Sequence, residues 1–415
     1  MYKLNLNPMK NFLPLFLALC LLFVNCTNTE KKIEDDDVKV IDIVGNIHKN
    51  RKVTLSTIAS NIEYHALETD EKCLITPLMN IHCLQDYIIA IGNQSPDCYF
   101  CYVFDRKTGA FIRQISSQGQ GPDEYSIIYD VFSYGDTILI SADNGKDLLL
   151  FNIDGTLSHK VKRTNPSIDR SIVYKYFHVR QGSGFGERIA PRVCFLDRTG
   201  ELVDSIPEYR ALGMTRNHFR VDGIWLYVFH DNLYYKDWYC DTLYHIKDYA
   251  LHPRYIFDTG NLAPPYKIQQ ELRTGRYDRI AGLSAGIAPD MYEKYILVSK
   301  VLEESKHLYF AIEYRGLSYP AIYNKPKDEI QIMSPVPIPP PNKDSRPPLH
   351  GFENDLDGGL PFWPQQMISD REMMRVYTAE ELLGLDASKI TDEKLKNVLN
   401  NLKEDSNPVV AIVTK

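Results

Sequence analysis

The sequence predicts an all-β fold, a β-propeller of small antiparallel blades, and three observations predict it. Aromatic residues are abundant, with 27 Tyr and 17 Phe, and they favour strands, while helical periodicity is nearly missing before residue 260. Three segments share one shape: Tyr102–Ile115 (YVFDRKTGAFIRQI), Leu149–Val161 (LLFNIDGTLSHKV) and Val193–Ile206 (VCFLDRTGELVDSI). Each reads as apolar strand, Asp/Gly turn and second strand, which is a hairpin pattern. Their turn glycines, Gly109, Gly155 and Gly200, are 46 and 45 residues apart. A period near 45 residues suits a blade of four short strands, which buries its faces only by stacking on neighbours around an axis. A β-sandwich of similar hairpins is the competing fold, and it does not explain so regular a period.

The chain begins with Lys3 and Lys10 and then an uncharged apolar run, Phe12–Val24. The run is shorter than the roughly 20 residues needed to span a bilayer and fits a secretory signal over residues 1–25. It ends on Cys26, so it resembles a bacterial lipobox, in which the cysteine thiol takes a diacylglycerol. Asn25 departs from the small residue preferred before that cysteine. Cleavage nearby without lipidation and lipidation at Cys20 are the alternatives. Residues 26–50 read as a flexible acidic tether, and residues 51–415 as a single propeller domain. Without Lys3 and Lys10, 45 basic residues face 54 acidic ones, moving the formal charge from −7 to −9. This acidic balance argues against nucleic acid as a partner.

A second landmark precedes the hairpins: DYIIAI at Asp86, DTILIS at Asp136 and DGIWLYV at Asp222. The spacings of 50 and 86 read as one repeat and two. Asp241–Phe257 is a further outer hairpin, and the segments around residues 294–333 form another blade. The stretch PPYKIQQELRTGRYDRIAGLS reads as a partly helical insertion. The proline tract Ser334–Gly351 reads as a surface loop, because proline cannot donate to a sheet ladder. Leu395, Val398, Leu399 and Leu402 mark a short amphipathic helix capped by Thr391. The strand that follows, in NPVVAIVTK, is expected to close the ring by pairing with the early segment VTLSTIASNIEYHALE.

Chemical motifs are scarce. No GxSxG, HExxH or Walker pattern occurs, nor a sequence order typical of a serine triad. Cys98 and Cys101 have redox spacing but lack a second pair, and the cysteines within strands read as buried thiols. RQGSGFGER lacks the strand–turn–helix setting of a dinucleotide site, and His82 and His178 sit in strand-like runs as scaffold histidines. Glu353, Asp355 and Asp357 alternate in ENDLDGG. In an extended chain they would share one face, as a Ca²⁺ or polar-ligand site requires, although turn formation explains the same residues. Otherwise no cofactor is expected.

The segment Ser116–Ser126 (SSQGQGPDEYS) poses the question of a phosphate loop. No basic residue follows it, Asp123 and Glu124 repel phosphate, and Pro122 removes an amide donor. Gly119, Gly121, Pro122 and Tyr125 are therefore expected to form a joint between blades, with Tyr125 packed between them.

Taken in order, VTLSTIASNIEYHALET, FDRKTGAFIRQISSQGQGPDEY, DTLYHI, PRYIFDTG, ENDLDGGLPFWP and EDSNPVVAIVTK resemble the six-bladed β-propeller lipoproteins of gut-type Gram-negative bacteria. These are related to TolB-like and NHL-repeat propellers. The resemblance implies six four-stranded blades and a short C-terminal helix before the closing strand. It also implies a lipid anchor at Cys26 in the outer membrane, with the cell surface favoured by the acidic tether. It supplies no catalytic motif. The expected role is a non-enzymatic binding or protein-interaction module at the envelope, meeting envelope proteins or a glycan or peptide ligand. Trp225, Trp238 and Trp363 could stack on such a ligand, although burial between blades is the favoured reading for each. A carbohydrate- or peptide-active lyase or hydrolase at the axis is the alternative, and a structural subunit of an envelope complex is a third reading.

Overall fold

The computed structural model describes residues 38–75, 78–95, 98–134, 137–142, 147–162, 171–174, 177–181, 191–197, 201–207, 224–265, 293–338 and 350–415. The chain first forms β1 (Lys39–Asp42) and β2 (Asn61–Ala66). Both are later taken up as outer strands of sheets built from distant sequence.

Four consecutive strands then make the antiparallel core of each sheet but the last, which combines three consecutive strands with β2. The first contains β3 (Leu78–Cys83), β4 (Tyr87–Ser95), β5 (Cys98–Asp105) and β6 (Phe111–Gln114). The next contains β7 (Ile128–Tyr134), β8 (Thr137–Ala142), β9 (Asp147–Asn152) and β10 (Leu157–Lys162). It is followed by β11 (Ser171–Tyr174), β12 (Phe177–Gln181), β13 (Val193–Leu196) and β14 (Leu202–Ile206). The sheet of β15 (Ile224–Phe229), β16 (Asn232–Asp237), β17 (Thr242–Lys247) and β18 (Ala250–Asp258) receives β1 as a fifth strand, parallel to β18. Then come β19 (Leu297–Glu303), β20 (His307–Tyr314), β21 (Leu317–Asn324) and β22 (Glu329–Ile332), with β23 (Val336–Pro337) added on β21. The last sheet has the order β2–β26–β25–β24, from β24 (Gln366–Met367), β25 (Glu372–Tyr377) and β26 (Val409–Thr414).

This is an all-β propeller of small antiparallel sheets with few helices. Strands β3, β7, β11, β15, β19 and β24 each hold one edge of their sheet, and β7, β11, β15, β19 and β24 touch in succession. These are the innermost strands. Apolar clusters lie between neighbouring sheets: Ile91 with Val131 and Ile140, Phe195 with Tyr235, Phe257 with Phe310, and Tyr309 with Trp363 and Tyr377. Met374 and Ile412 of the last sheet pack with Ile88 and Phe100 of the first, which closes the circuit. The expected closure is present: β2 pairs along its length with β26, from Asn61 opposite Thr414 to Ala66 opposite Val409. β26 thereby has a partner on each side, β2 and β25, so the terminal strand is not left as a sheet edge.

The hairpin period marks the third and fourth strands of successive sheets, as expected. Gly109 turns the first hairpin at φ +73°, and a Cβ there would lie 2.0 Å from the Ala66 carbonyl oxygen, so both backbone and space demand glycine. The second landmark needs correction. DYIIAI and DTILIS are second strands, β4 and β8, but DGIWLYV is an innermost strand, β15. The true counterpart is Asp231, before β16, because apolar first and second strands look alike in sequence. The partly helical insertion and most of the proline tract lie outside the described residues, although Val336 and Pro337 form β23 at a sheet edge.

Two short helices precede the closing strand, α1 (Ala379–Leu383) and α2 (Glu393–Asn401). The cap of α2 is Asp392, whose carboxylate accepts from Leu395 N at 2.8 Å, and not Thr391. Leu395 is buried, and Val398, Leu399 and Leu402 pack on the core beneath. The expected tether is also shorter than 26–50. Ile41, Ile43 and Ile47 are buried against the β15–β18 sheet and its neighbour, so the chain is docked from residue 38. No described helix is long and apolar enough to cross a membrane.

Candidate functional site

Three innermost strands depart from regular pairing. Register shifts occur between Leu78 and Asn80 in β3, Ile128 and Asp130 in β7, and Ser299 and Leu302 in β19. Bulges re-aim side chains and cluster near sites. In β19 the irregularity places Lys300 at φ +53°. The other described non-glycine residues with positive φ sit in turns or connections between strands; Lys300 lies inside one. A lysine in this region carries backbone strain, which proteins retain chiefly at functional positions.

Lys300 opens into a cavity of about 510 Å³ at the end of the axis where the innermost strands begin. Leu78, Asn80 and Ile81 of β3, Trp225 of β15, Leu302 of β19 and Gln365 before β24 also line it. The volume falls within the range of about 300–1,000 Å³ typical of small-ligand sites. Trp225 is half-buried there, whereas Trp363 is 5% exposed and stacks on Phe352 with centroids 5.9 Å apart. Trp225 therefore supplies the accessible indole, and Trp363 part of the wall. Several polar groups of the rim have structural duties. Glu381 accepts from Thr378 N at 2.8 Å, completing the capping box of α1. Arg375 donates to the Pro361 carbonyl at 3.0 Å and lies 4.7 Å over the Tyr377 ring. Gln365 Oε1 accepts from Val376 N at 2.8 Å. Asn80 Nδ2 lies 3.2 Å from His82 Nε2, and burial pushes the His82 imidazole down to about 4, so it is neutral near pH 7.

At the other end of the axis, turns after three innermost strands meet. Ser305 Oγ donates to Asp370 Oδ2 at 2.5 Å and Ser305 N to Oδ1 at 3.1 Å. His230 Nε2 lies 2.9 Å from the same Oδ2 and 3.4 Å from Ser305 Oγ. Burial raises the Asp370 carboxyl, but the hydrogen bonds from Ser305 and His230 together outweigh it and hold the group below its usual range. The residue types are those of a hydrolase triad, but the connectivity is not. A relay puts serine and carboxylate on opposite nitrogens of the imidazole, whereas here Asp370 holds both partners on one side. The arrangement can fasten three sheets and does not activate the Ser305 hydroxyl. It was not seen in the sequence, where its members are 65 to 140 residues apart. The repeat register could have found it, since all three occupy the same turn of successive repeats.

Behind it, Glu303, fully buried at its side chain, accepts from Arg254 at 2.9 Å, Lys325 at 2.5 Å and Tyr227 at 2.8 Å. Glu304 binds His307 Nδ1 at 2.6 Å and Lys415 Nζ at 2.7 Å.

The sequence-derived site residues are placed as follows. Cys26 lies outside the described residues. Glu353, Asp355 and Asp357 do not converge, because the segment turns at residues 355–357 instead of extending. Glu353 pairs with Lys52, and Asp355 takes Ser56 N at 2.9 Å and Ser56 Oγ at 2.5 Å. Asp357 is buried, accepts from Gly359 N at 2.8 Å, and has its carboxyl raised by that burial. The expected shared Ca²⁺ face is thus replaced by three separate structural roles. Among the described residues no group of three or more His, Cys, Asp or Glu side chains could hold a metal ion. Gly119, Gly121, Pro122 and Tyr125 lie between β6, the outermost strand of its sheet, and the innermost β7. Tyr125 is fully buried in the cluster shared by the two sheets, its hydroxyl donating to the Tyr99 carbonyl at 3.3 Å. Glu124 folds back to accept from Gly121 N at 2.6 Å, so its carboxylate fills the space a phosphate would need. Cys73, Cys83, Cys101, Cys194 and Cys240 are buried, while the Cys98 side chain, like that of His178, lies outside the description.

A family profile described as a domain of unknown function, DUF4934, matches residues 38–414. The chain belongs to the DUF4934 family. The match starts where the described structure starts, so this DUF4934 domain includes β1 and runs to the closing strand. Among solved structures, a Bacteroides fragilis protein described as exported is similar at 15% identity and TM-score 0.63, over 91% of this chain and 100% of that one. A Bacteroides vulgatus member of the DUF4221 family is 14% identical at TM-score 0.44, over 68% of this chain and 86% of that one. The first likeness shows the fold. None of the curated proteins matches the chain.

Proposed function

We propose that this DUF4934 protein is a ligand-binding propeller held at the cell envelope by a lipid on Cys26, with its ligand received in the axial cavity. The observation that carries the reading is the cavity itself. Four sheets contribute to its wall, it presents the accessible indole of Trp225, and it contains the strained Lys300. We also read the ring as six-bladed, supported by the sheets described above, by the apolar clusters named between them and by the contact of β7 with β11. Placement in the outer membrane, facing the cell surface, rests on the signal-like run Phe12–Val24, the following Cys26 and the charged segment after it.

Two experiments test this. Cys26→Ala should move the protein from the membrane pellet to the soluble fraction, and retention in the pellet would refute the anchor. A thermal-shift screen of small glycans and peptides should find ligands that raise Tm, since occupancy at 100 times Kd adds about 2.7 kcal/mol. Trp225→Arg should abolish that shift by filling the cavity. A shift that survives Trp225→Arg places binding elsewhere and sinks the axial reading.

A further inference from the structure

We infer that Asp357 is a proton-operated lock on ring closure: proton uptake by its carboxyl tightens the packing on β2, the strand that closes the ring, and proton loss loosens it. The inference is independent of the axial cavity. Asp357 is 4% exposed. Its Oδ1 accepts from Gly359 N at 2.8 Å, while Oδ2 is buried with no hydrogen-bond partner. Proteins seldom keep a buried acceptor in that state. A Cβ on Gly359 would lie 2.5 Å from the Tyr64 hydroxyl oxygen, 2.9 Å from Asp357 Oδ1 and 3.0 Å from Asn354 Nδ2, so three polar groups converge on one point. The Tyr64 oxygen accepts from Asn354 Nδ2 at 3.3 Å. A hydroxyl oxygen can accept a second hydrogen bond, and a protonated carboxyl is a donor. A proton on Oδ2 therefore turns an orphaned acceptor into a donor with the Tyr64 oxygen beside it.

The carboxyl sits where a change in packing is felt by the seam. Tyr64 lies opposite Ala411 in the β2–β26 ladder. The Asp357 carbonyl accepts from Thr391 N at 2.9 Å, which fixes the approach to α2. A Cβ on Gly358 would lie 1.9 Å from the Lys389 carbonyl oxygen, so the turn and that approach touch without slack. The titratable groups facing the carboxyl are Tyr64 from β2, Tyr377 from β25 and Asp392 from the start of α2. Lys389 turns its ammonium to the exposed Asp386, 3.7 Å away. Burial and the Asp357 charge hold the Tyr64 phenol well above its usual value, so it stays protonated. Burial also raises the Asp357 carboxyl, Asp392 adds to it, and the hydrogen-bonding groups of Gly359, Tyr64 and Asn354 offset it only in part. An open seam would return the carboxyl to water and to its ordinary value. The closed state thus binds the proton more tightly than the open one. Acid favours closure through this group, and the advantage is lost as pH rises from the ordinary carboxylate value through the raised one.

The test measures native-state hydrogen exchange of the full mature chain in detergent between pH 4 and 8, as protection factors corrected for intrinsic exchange chemistry. Peptides covering Asn61–Ala66 and Val409–Thr414 report the seam, and the β8–β9 ladder is the reference. Asp357→Asn mimics the protonated carboxyl, since its amide still accepts from Gly359 N and donates beside Tyr64. At pH 8 the variant's seam should be better protected than wild type, by about tenfold for each pH unit between the folded and unfolded pKa values, and the gap should close by pH 4. His65, also on β2, is held low by burial and so loosens the strand in acid; the difference between wild type and variant cancels this. In a His65→Gln background, unaltered Asp357 should make seam protection fall from pH 4 to 8, a readout that does not depend on the Asn variant folding. Asp355→Asn removes the same charge from an exposed site bonded to Ser56 and should not raise protection. The lock is overturned if Asp357→Asn shows no gap at pH 8, if seam protection in the His65→Gln background is flat, if Asp355→Asn raises protection as much, or if the β8–β9 ladder changes in step with the seam.

Discussion

Substituting Glu303 by Gln should destabilise the ring more than any change to its exposed ion pairs. The Glu303 side chain has no exposure and is the common anion for Arg254 and Lys325, themselves 17% and 14% exposed at their side chains. Burial pulls the Lys325 ammonium down, partly offset by the attraction of Glu303. Removing the carboxylate leaves two cations in a poorly solvated interface between the β15–β18 and β19–β22 sheets. Breaking a buried pair in this way costs about 3–5 kcal/mol. At about 2.1 cal/mol/K per residue, a domain of this length has an unfolding entropy near 0.8 kcal/mol/K. The expected fall in Tm is then about 4–6 °C, measured by calorimetry against wild type. Replacing all three residues together, by Glu303→Leu, Arg254→Met and Lys325→Met, should recover much of the loss, since no charge is left uncompensated. A fall below about 1 °C for Glu303→Gln, of the order expected for an exposed pair, would refute the reasoning.

Other perturbations have equally definite outcomes. Asp370 has a depressed pKa in the folded state, so its contribution is present above the unfolded value and lost as pH falls through the folded one. The stability gap between wild type and Asp370→Asn in urea should therefore be small at pH 7, under about 1 kcal/mol for so exposed a pair, and close further near pH 2.5; an unchanged gap contradicts the assignment. Tyr125→Ala should cost about 3–5 kcal/mol as a large buried aromatic, while Tyr125→Phe loses one long hydrogen bond and under about 1 kcal/mol; equal losses would mean that the tyrosine does not act by filling the inter-sheet space. Burial pushes the Cys83 and Cys101 thiols up to about 12, so mass spectrometry after alkylation at pH 8 should find both unmodified in native protein and modified in urea, and native labelling would contradict their placement.

The fold was largely legible because propellers repeat. Gly109 and Gly155 turn at positive φ in corresponding hairpins, and their spacing carries the architecture. Closure was legible too, since an apolar terminal strand needs a partner and the early strand around Ile62 is the one left over. Confusion arose where two strand types share one pattern, as with Asp222 and Asp231. The site was less legible. Alternating carboxylates imply a common face only if the chain is extended, and Asp355 lies in a turn. The strain at Lys300 comes from a bulge created by pairing with β20, so nothing local to its sequence announces it. His230, Ser305 and Asp370 meet only because successive turns surround one axis.

The parallel pairing of β1 with β18 decides where the described chain enters the ring. Val38, the first described residue, leads into β1, the outermost strand of the β15–β18 sheet, four strands away from the innermost β15. The chain thus joins the wheel at its tyre and not at its hub. A pull applied ahead of Lys39 loads the Lys39–Asp42 ladder and the isoleucines beneath it, so β1 can be stripped from the edge without opening the seam between β2 and β26.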